Sequence, residues 1–235
     1  MADPFRNIRR ASHIMVGTKR FQHRGVTLHT GPSDIPETVR GHIFKGRYES
    51  VEAELVQAIL RPNDRVLEVG TGIGFVSILC AKIAGEGQVT SYEANPALEG
   101  CILANYSANN LTPDLRMKAV TVDGRPISFF QDPNILSSSL INRDLPLDEI
   151  TVESHAMESV LNDIRPDVIV MDVEGAEIDL LTTADLSGVR AMIVEVHPHI
   201  VGEDKISFMN TALSAAGFEI KARRHKTVHY ARKNA

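Results

Sequence analysis

Glu68-Val69-Gly70-Thr71-Gly72-Ile73-Gly74 is the stretch whose reading decides the fold. The run Arg65-Val66-Leu67-Glu68-Val69 leads into it, and Phe75-Val76-Ser77-Ile78-Leu79-Cys80-Ala81-Lys82-Ile83 follows, apolar at helical spacing. Strand, glycine turn and helix are therefore expected in that order. Glycines at alternate positions let the backbone turn tightly and approach a ligand without a Cβ in the way. The following helix opens with N–H groups that no helical carbonyl accepts. A dinucleotide-binding loop reads G-x-G-x-x-G, its third glycine placed for close helix–strand packing. Counted from Gly70 that place is Phe75, and Gly74 comes one residue early.

The spacing here, G-x-G-x-G with Glu68 two places before, resembles the first motif of class I S-adenosylmethionine-dependent methyltransferases. That donor carries a sulfonium, an ammonium and a carboxylate but no phosphate, so an acid beside the loop suits it. A generic strand–helix turn has the same glycines, and a nicotinamide-dependent oxidoreductase is the alternative enzyme. The rest of the chain must decide.

At 235 residues, with 43% hydrophobic and 23% charged, the chain fits one soluble α/β domain with decorations. The net charge of −5 argues against a dedicated nucleic-acid binder. No apolar run approaches a membrane span, and Ile14-Met15-Val16 is too short for a signal core, so a cytoplasmic protein without a membrane partner is expected. Cys80 and Cys101 fall in predicted helices and read as buried free thiols of a reducing cytosol.

Residues 1–47 form an N-terminal arm or cap, in which Arg6, Arg9, Arg10, Lys19, Arg20 and Arg24 face a single acid, Asp3, before Gly25. It reads either as a lid over an anionic substrate or as a solvated arm or homodimer contact. Val26-Thr27-Leu28-His29-Thr30 alternates like a strand. From 48 to 235 the chain reads as a single domain. An amphipathic helix carries Val51, Leu55, Ile59 and Leu60 on one face. After the helix at 75–84, Gln88-Val89-Thr90-Ser91-Tyr92-Glu93 is a second strand, and a helix over 96–109 follows, capped by Asn95 with Pro96 at its first position. A third strand covers 115–122 and ends at Asp123-Gly124. Residues 125–149, with Pro126, Pro133, Pro146 and Ser137-Ser138-Ser139, form an irregular insertion with a short extended piece near 127–130. A small helix near 156–164, a fourth strand at 167–173, a helix at 177–184, a fifth strand at 189–197, a helix bearing Ile206, Met209 and Leu213, and a closing hairpin complete the chain. The expected fold is Rossmann-like: a mostly parallel seven-stranded sheet with a C-terminal antiparallel hairpin.

Ligands bind such sheets at the carboxyl ends of the strands. Glu93, about 20 residues past the glycine loop, stands where a ribose diol is held. Asp123 either faces the adenine or belongs to a simple Asp-Gly turn. Asp172 with Glu174, and Glu195 with His197, each lie two apart and point to one side of their strands.

Met171-Asp172-Val173-Glu174-Gly175-Ala176-Glu177 resembles the D-V-E-G-A-E signature of the FkbM family of methyltransferases. Tyr48-Glu49, residues 68–74, Ser138-Ser139 and Val194-Glu195-Val196-His197-Pro198 are similar too, so the resemblance runs over roughly 44–222. It implies a class I methyltransferase fold, S-adenosylmethionine as cofactor, and O-methylation of a small-molecule hydroxyl on a sugar, polyketide or other metabolite. Glu68, Gly70, Thr71, Gly72 and Gly74 would line the methionine part, Glu93 and Asn95 the ribose side, and Tyr48 and Glu49 would close over the donor. A non-catalytic scaffold would be marked by loss of Glu68 or Glu93, and both are present. An alcohol does not ionise at neutral pH, so its methylation benefits from a base or a metal. His197, oriented by Asp172 or replaced by it, is the candidate base. No metal is expected, although Asp172, Glu174, Glu195 and His197 form an alternative ligand set for a divalent cation such as magnesium. Glu174 and Glu177 can also simply satisfy the start of the following helix.

Overall fold

All four residues of the strand before the glycine loop, Val66–Val69 (β1), are buried, because helices cover both faces of the sheet at its middle. The computed structural model describes residues 5–131 and 148–233. Numbered among themselves, the other strands of the central sheet are β2 (Val89–Tyr92), β3 (Asp114–Arg116), β4 (Val168–Met171), β5 (Ala191–Glu195), β6 (Phe218–Arg224) and β7 (Thr227–Arg232). Their order is β6-β7-β5-β4-β1-β2-β3. β1 to β5 run parallel, and β7 pairs antiparallel with β5 on one side and β6 on the other. This is the expected seven-stranded sheet with its terminal hairpin.

Alternate side chains feed two cores. Val66, Val168, Val170, Ala191 and Ile193 pack on one face with the helices Ser50–Ile59, Phe75–Ala84 and Glu99–Ala108. Leu67, Val69, Ile169, Met171, Met192 and Val194 pack on the other, with Met157–Ile164, Glu177–Thr183 and Glu203–Ala215. Val69 lies opposite both Tyr92 and Met171, and Met171 opposite Val194. The interior strands therefore end level. Gly70, Glu93, Asp172 and Glu195 reach one edge, at the point where strand order reverses between β1 and β4.

The third strand departs from the expected 115–122. Asp114–Arg116 pairs with β2, but the chain then turns, with Lys118 N–H donating to Arg116 O at 2.8 Å. Ala119–Thr121 instead pairs parallel with Ser154–Ala156. Leu115 and Met117 pack toward the first core and Val120 toward the second, so an alternating pattern runs unbroken through the bend. Only the distant partner strand reveals it. Ile127–Gln131 pairs antiparallel with Asp148–Val152, which fits the extended piece expected near 127–130. The remainder of the insertion, including Pro133, Ser137-Ser138-Ser139 and Pro146, lies outside the described residues.

From Arg20 onward the N-terminal segment is built into the first core and is not solvated. Arg20–His23 and Val26–His29 form a hairpin, and Val26, Leu28, Ile43 and Phe44 are fully buried. Two asparagines of the helix Glu99–Ala108 and its C-cap satisfy the hairpin's free backbone edge. Asn109 accepts from Thr27 N–H and donates to Thr27 O, while Asn105 accepts from His29 N–H at 2.7 Å. Asn105 also donates to Ile73 O at 2.8 Å, tying the hairpin to the glycine loop.

Candidate functional site

The glycine loop is held by backbone geometry that only glycine tolerates. Gly70 has φ +87°, and a Cβ there would lie 1.8 Å from the Asp172 carbonyl oxygen. Loop and β4 end thus touch backbone to backbone. Glu93, immediately past β2, accepts from Gly72 N–H at 2.9 Å with one carboxylate oxygen and from Asn95 N–H at 2.8 Å with the other. Burial raises the Glu93 carboxyl, and these backbone donors oppose that rise. Asn95 accepts from Ala97 N–H at 3.1 Å and caps a short turn with Pro96 at its first position, as expected.

Glu68 is 1% exposed and sits on the first-core face of β1. It accepts from the Thr71 hydroxyl, which pins the loop from below. Its other oxygen has no hydrogen-bonding partner. Burial raises this carboxyl to about 7, against the favourable hydroxyls of Thr71, Ser91 and Ser77. Above the loop stand Tyr48 and Glu49. A Cβ on Gly72 would come within 3.4 Å of the Tyr48 hydroxyl and 3.6 Å of Glu49 Oε1. Glu49 has left-handed backbone (φ 42°) at the start of the helix Ser50–Ile59, and such outliers gather at functional sites. His23, from the N-terminal hairpin, bonds the Tyr48 carbonyl at 2.9 Å and stacks near Phe75, so the hairpin positions this cover.

At the ends of β4 and β5 the charges are held by side chains. The His197 ring is 2% exposed. Its Nδ1 lies 3.1 Å from Glu177 Oε1, which also accepts from Val173 N–H at 3.2 Å. Its Nε2 faces Asp172 Oδ1 at 3.6 Å, Glu174 Oε2 at 3.7 Å and Glu195 Oε1 at 3.6 Å. Burial works against a charged ring, but the Glu177 bond and the Asp172 and Glu174 charges outweigh it and raise His197. Asp172 is raised by burial and then by Glu195, and Glu195 by burial and then by Glu52.

One cleft of about 490 Å³ joins these parts. Tyr48, Glu49, Gly70, Gly72, Glu93, Asn95, Asp172 and Glu174 line it. Glu68, Thr71, Gly74, Glu195 and His197 do not, and act from behind its walls. Asp123 departs from the adenine-facing reading. It accepts from Arg125 N–H at 3.1 Å and pairs with the Arg125 guanidinium, which lowers its carboxyl, so the Asp-Gly turn is what forms. The wall there is apolar instead: Leu98, Val120, Val122 and Ile127. Two features escaped the sequence reading. Glu177 is a 1%-exposed partner of His197, placed one helical turn past the strand end. Lys118 lines the cleft and touches His155 Nε2 at 3.2 Å, while His155 Nδ1 meets the Tyr92 hydroxyl at 3.0 Å. The bend after Arg116 brings these three together, and the sequence gives no sign of it.

Phe75, where a dinucleotide loop has its third glycine, is fully buried beside His23 and Tyr48. The nicotinamide reading therefore falls, and the fold with its switch-point cleft defines a class I S-adenosylmethionine-dependent methyltransferase. A family model described as "Methyltransferase FkbM domain" matches residues 68–220, well over half of the sequence, and the chain belongs to that family. Among solved structures it is similar to a ribosomal protein L11 methylase from Lactobacillus delbrueckii subsp. bulgaricus, at 17% identity over 80% of each chain, with a TM-score of 0.49. It is also similar to M. jannaschii TYW2 in complex with AdoMet, at 16% identity over 91% of this chain and 86% of that one, with a TM-score of 0.46. The comparison with curated proteins finds no match. Among the described residues, no helix is long and apolar enough to cross a membrane.

Proposed function

We propose that the protein transfers the methyl group to a hydroxyl oxygen of a small molecule. The observation that carries this reading is the Asp172 carboxylate, which opens on the cleft beside the glycine loop with the other acids behind it. The donor's methionine part lies over Gly70 and Gly72 under Tyr48 and Glu49. Its ribose binds Glu93, and its adenine lies among Leu98, Val120, Val122 and Ile127. The methyl group then points toward Asp172. The hydroxyl oxygen forms a bond to the methyl carbon while the carbon–sulfur bond breaks. The electron pair stays on sulfur, the sulfonium becomes a neutral thioether, and the hydroxyl proton passes to Asp172 and on to water. Burial and Glu195 raise Asp172, which makes it a stronger base than a solvated carboxylate. His197 is two residues past the β5 end and enclosed, so it is a positioning residue acting through Asp172. An acid-walled reaction end on a chain of net charge −5 disfavours nucleic-acid phosphates as partners.

The test is incubation with methyl-labelled donor and a mixture of sugars, polyols and hydroxylated polyketides, read by mass spectrometry. A product heavier by one methylene on oxygen is expected. Label appearing only on RNA, on protein or on nitrogen would overturn the proposal.

A further inference from the structure

The wall formed by Asp172, Glu174, Glu195 and His197 has more negative charge than its one histidine balances, and its geometry is that of ligands without their ion. We propose that these four side chains bind one divalent cation of the manganese type. His197 carries the argument. Its ring is 98% hidden, its Nδ1 is taken by Glu177, and its Nε2 makes no hydrogen bond among the described residues. That nitrogen is aimed at three carboxylate oxygens, each at 3.6–3.7 Å. Such gaps are too long for hydrogen bonds. An ion with bonds of about 2.1 Å sets its ligand atoms roughly 3.0–4.2 Å apart, from adjacent to opposite positions, and the observed gaps fall inside that range. Nδ1 bound to a buried carboxylate is the arrangement that fixes a metal-binding imidazole in the right tautomer and orientation. Ligand atoms of Asp172, Glu177 and His197 also all lie within 4.8 Å of one another.

A second observation is independent of the histidine. A cavity of about 20 Å³, room for one water or ion, lies behind the same wall and is lined by Glu68, Asp172 and Glu195. Glu68, itself 1% exposed, leaves Oε1 there without a partner. A buried acid with an empty lone pair beside further acids is satisfied by a cation or by water the cation orders. One nitrogen and three carboxylates suit manganese better than magnesium, which favours oxygen alone, or zinc, which favours nitrogen and sulfur.

A cation at this wall polarises a hydroxyl that ligates it. That use rests on the proposed O-methylation, whereas binding of the ion does not. The experiment adds chelator-treated full-length protein to MnCl2 and follows the electron paramagnetic resonance signal of free Mn2+, with S-adenosylhomocysteine binding measured on the same sample. One ion per chain is expected, with at least tenfold weaker binding in Asp172→Asn and in Glu195→Gln. Glu203→Gln, an exposed acid elsewhere, should leave binding unchanged. An undiminished Mn2+ signal in wild-type protein that still binds S-adenosylhomocysteine would overturn the cation site and leave the methyltransferase intact. Mn2+ binding that both wall variants retain at full strength would overturn it too. Mn2+ binding without methylation of any hydroxyl would sustain the site and count against the acceptor chemistry.

Discussion

The two ends of the cleft hold their charges in opposite ways. At the β1–β2 end, both oxygens of Glu93 are met by backbone N–H groups of Gly72 and Asn95. At the β4–β5 end, Asp172, Glu174 and Glu195 crowd around one imidazole with gaps of 3.6–3.7 Å. The first end is complete without a ligand, since its donors come from the loop it stabilises. The second end is a concentration of like charge that raises Asp172 and Glu195. A preformed binding end thus faces a reactive end kept out of balance, and each can be disturbed separately.

The largest effect should come from the contact that joins the two ends. Gly70→Ala puts a Cβ against the Asp172 carbonyl at a φ that L-residues avoid. Loss of at least about 3 kcal/mol in urea unfolding is expected, with S-adenosylhomocysteine binding lost by calorimetry. A variant that binds normally would mean that the loop and β4 need not touch.

Glu68, beneath the loop, gives the next effect. Its folded carboxyl is raised to about 7, so the fold favours its neutral form. Its contribution to stability is full below about pH 4.5 and is lost as pH rises toward 7. The decline from this group is on the order of 3 kcal/mol at most. Urea titrations in chelator across that range should show a slope in wild type that Glu68→Gln flattens.

The binding end is probed by Glu93→Gln, which keeps the shape and removes the charge. S-adenosylhomocysteine affinity should fall roughly tenfold to thirtyfold. The reactive end is probed by Glu177→Gln, which weakens the hold on His197 Nδ1. Here kcat should fall about tenfold while donor affinity stays within about twofold. Equal losses of both quantities in both variants would erase the distinction between the ends. The smallest effect belongs to Asp123→Asn. Its carboxylate serves the Arg125 turn, so donor affinity should change less than about twofold.

The same contrast explains what was legible beforehand. The binding end is local: strand, glycine loop, strand and Glu93 follow within one βαβ unit, and the glycine spacing and the distance to Glu93 carry the chemistry. The D-V-E-G-A-E stretch identified the family without revealing that its last glutamate turns back onto a histidine from the next strand. Lys118, His155 and Tyr92 were invisible because the third strand bends within an unbroken alternating pattern.

Sequence alone determined the seven strands, the terminal hairpin, the loop that excludes a dinucleotide and the acid at the β2 end. These follow from periodicity, glycine geometry and short spacing, which act along the chain. Only the tertiary structure decided that Glu68 and His197 stand behind the cleft while Asp172 faces it, that Asp123 turns away, and that the N-terminal hairpin supports Tyr48. Those outcomes depend on strand register and on contacts between distant segments, and burial and like charge then set the ionisation of each acid.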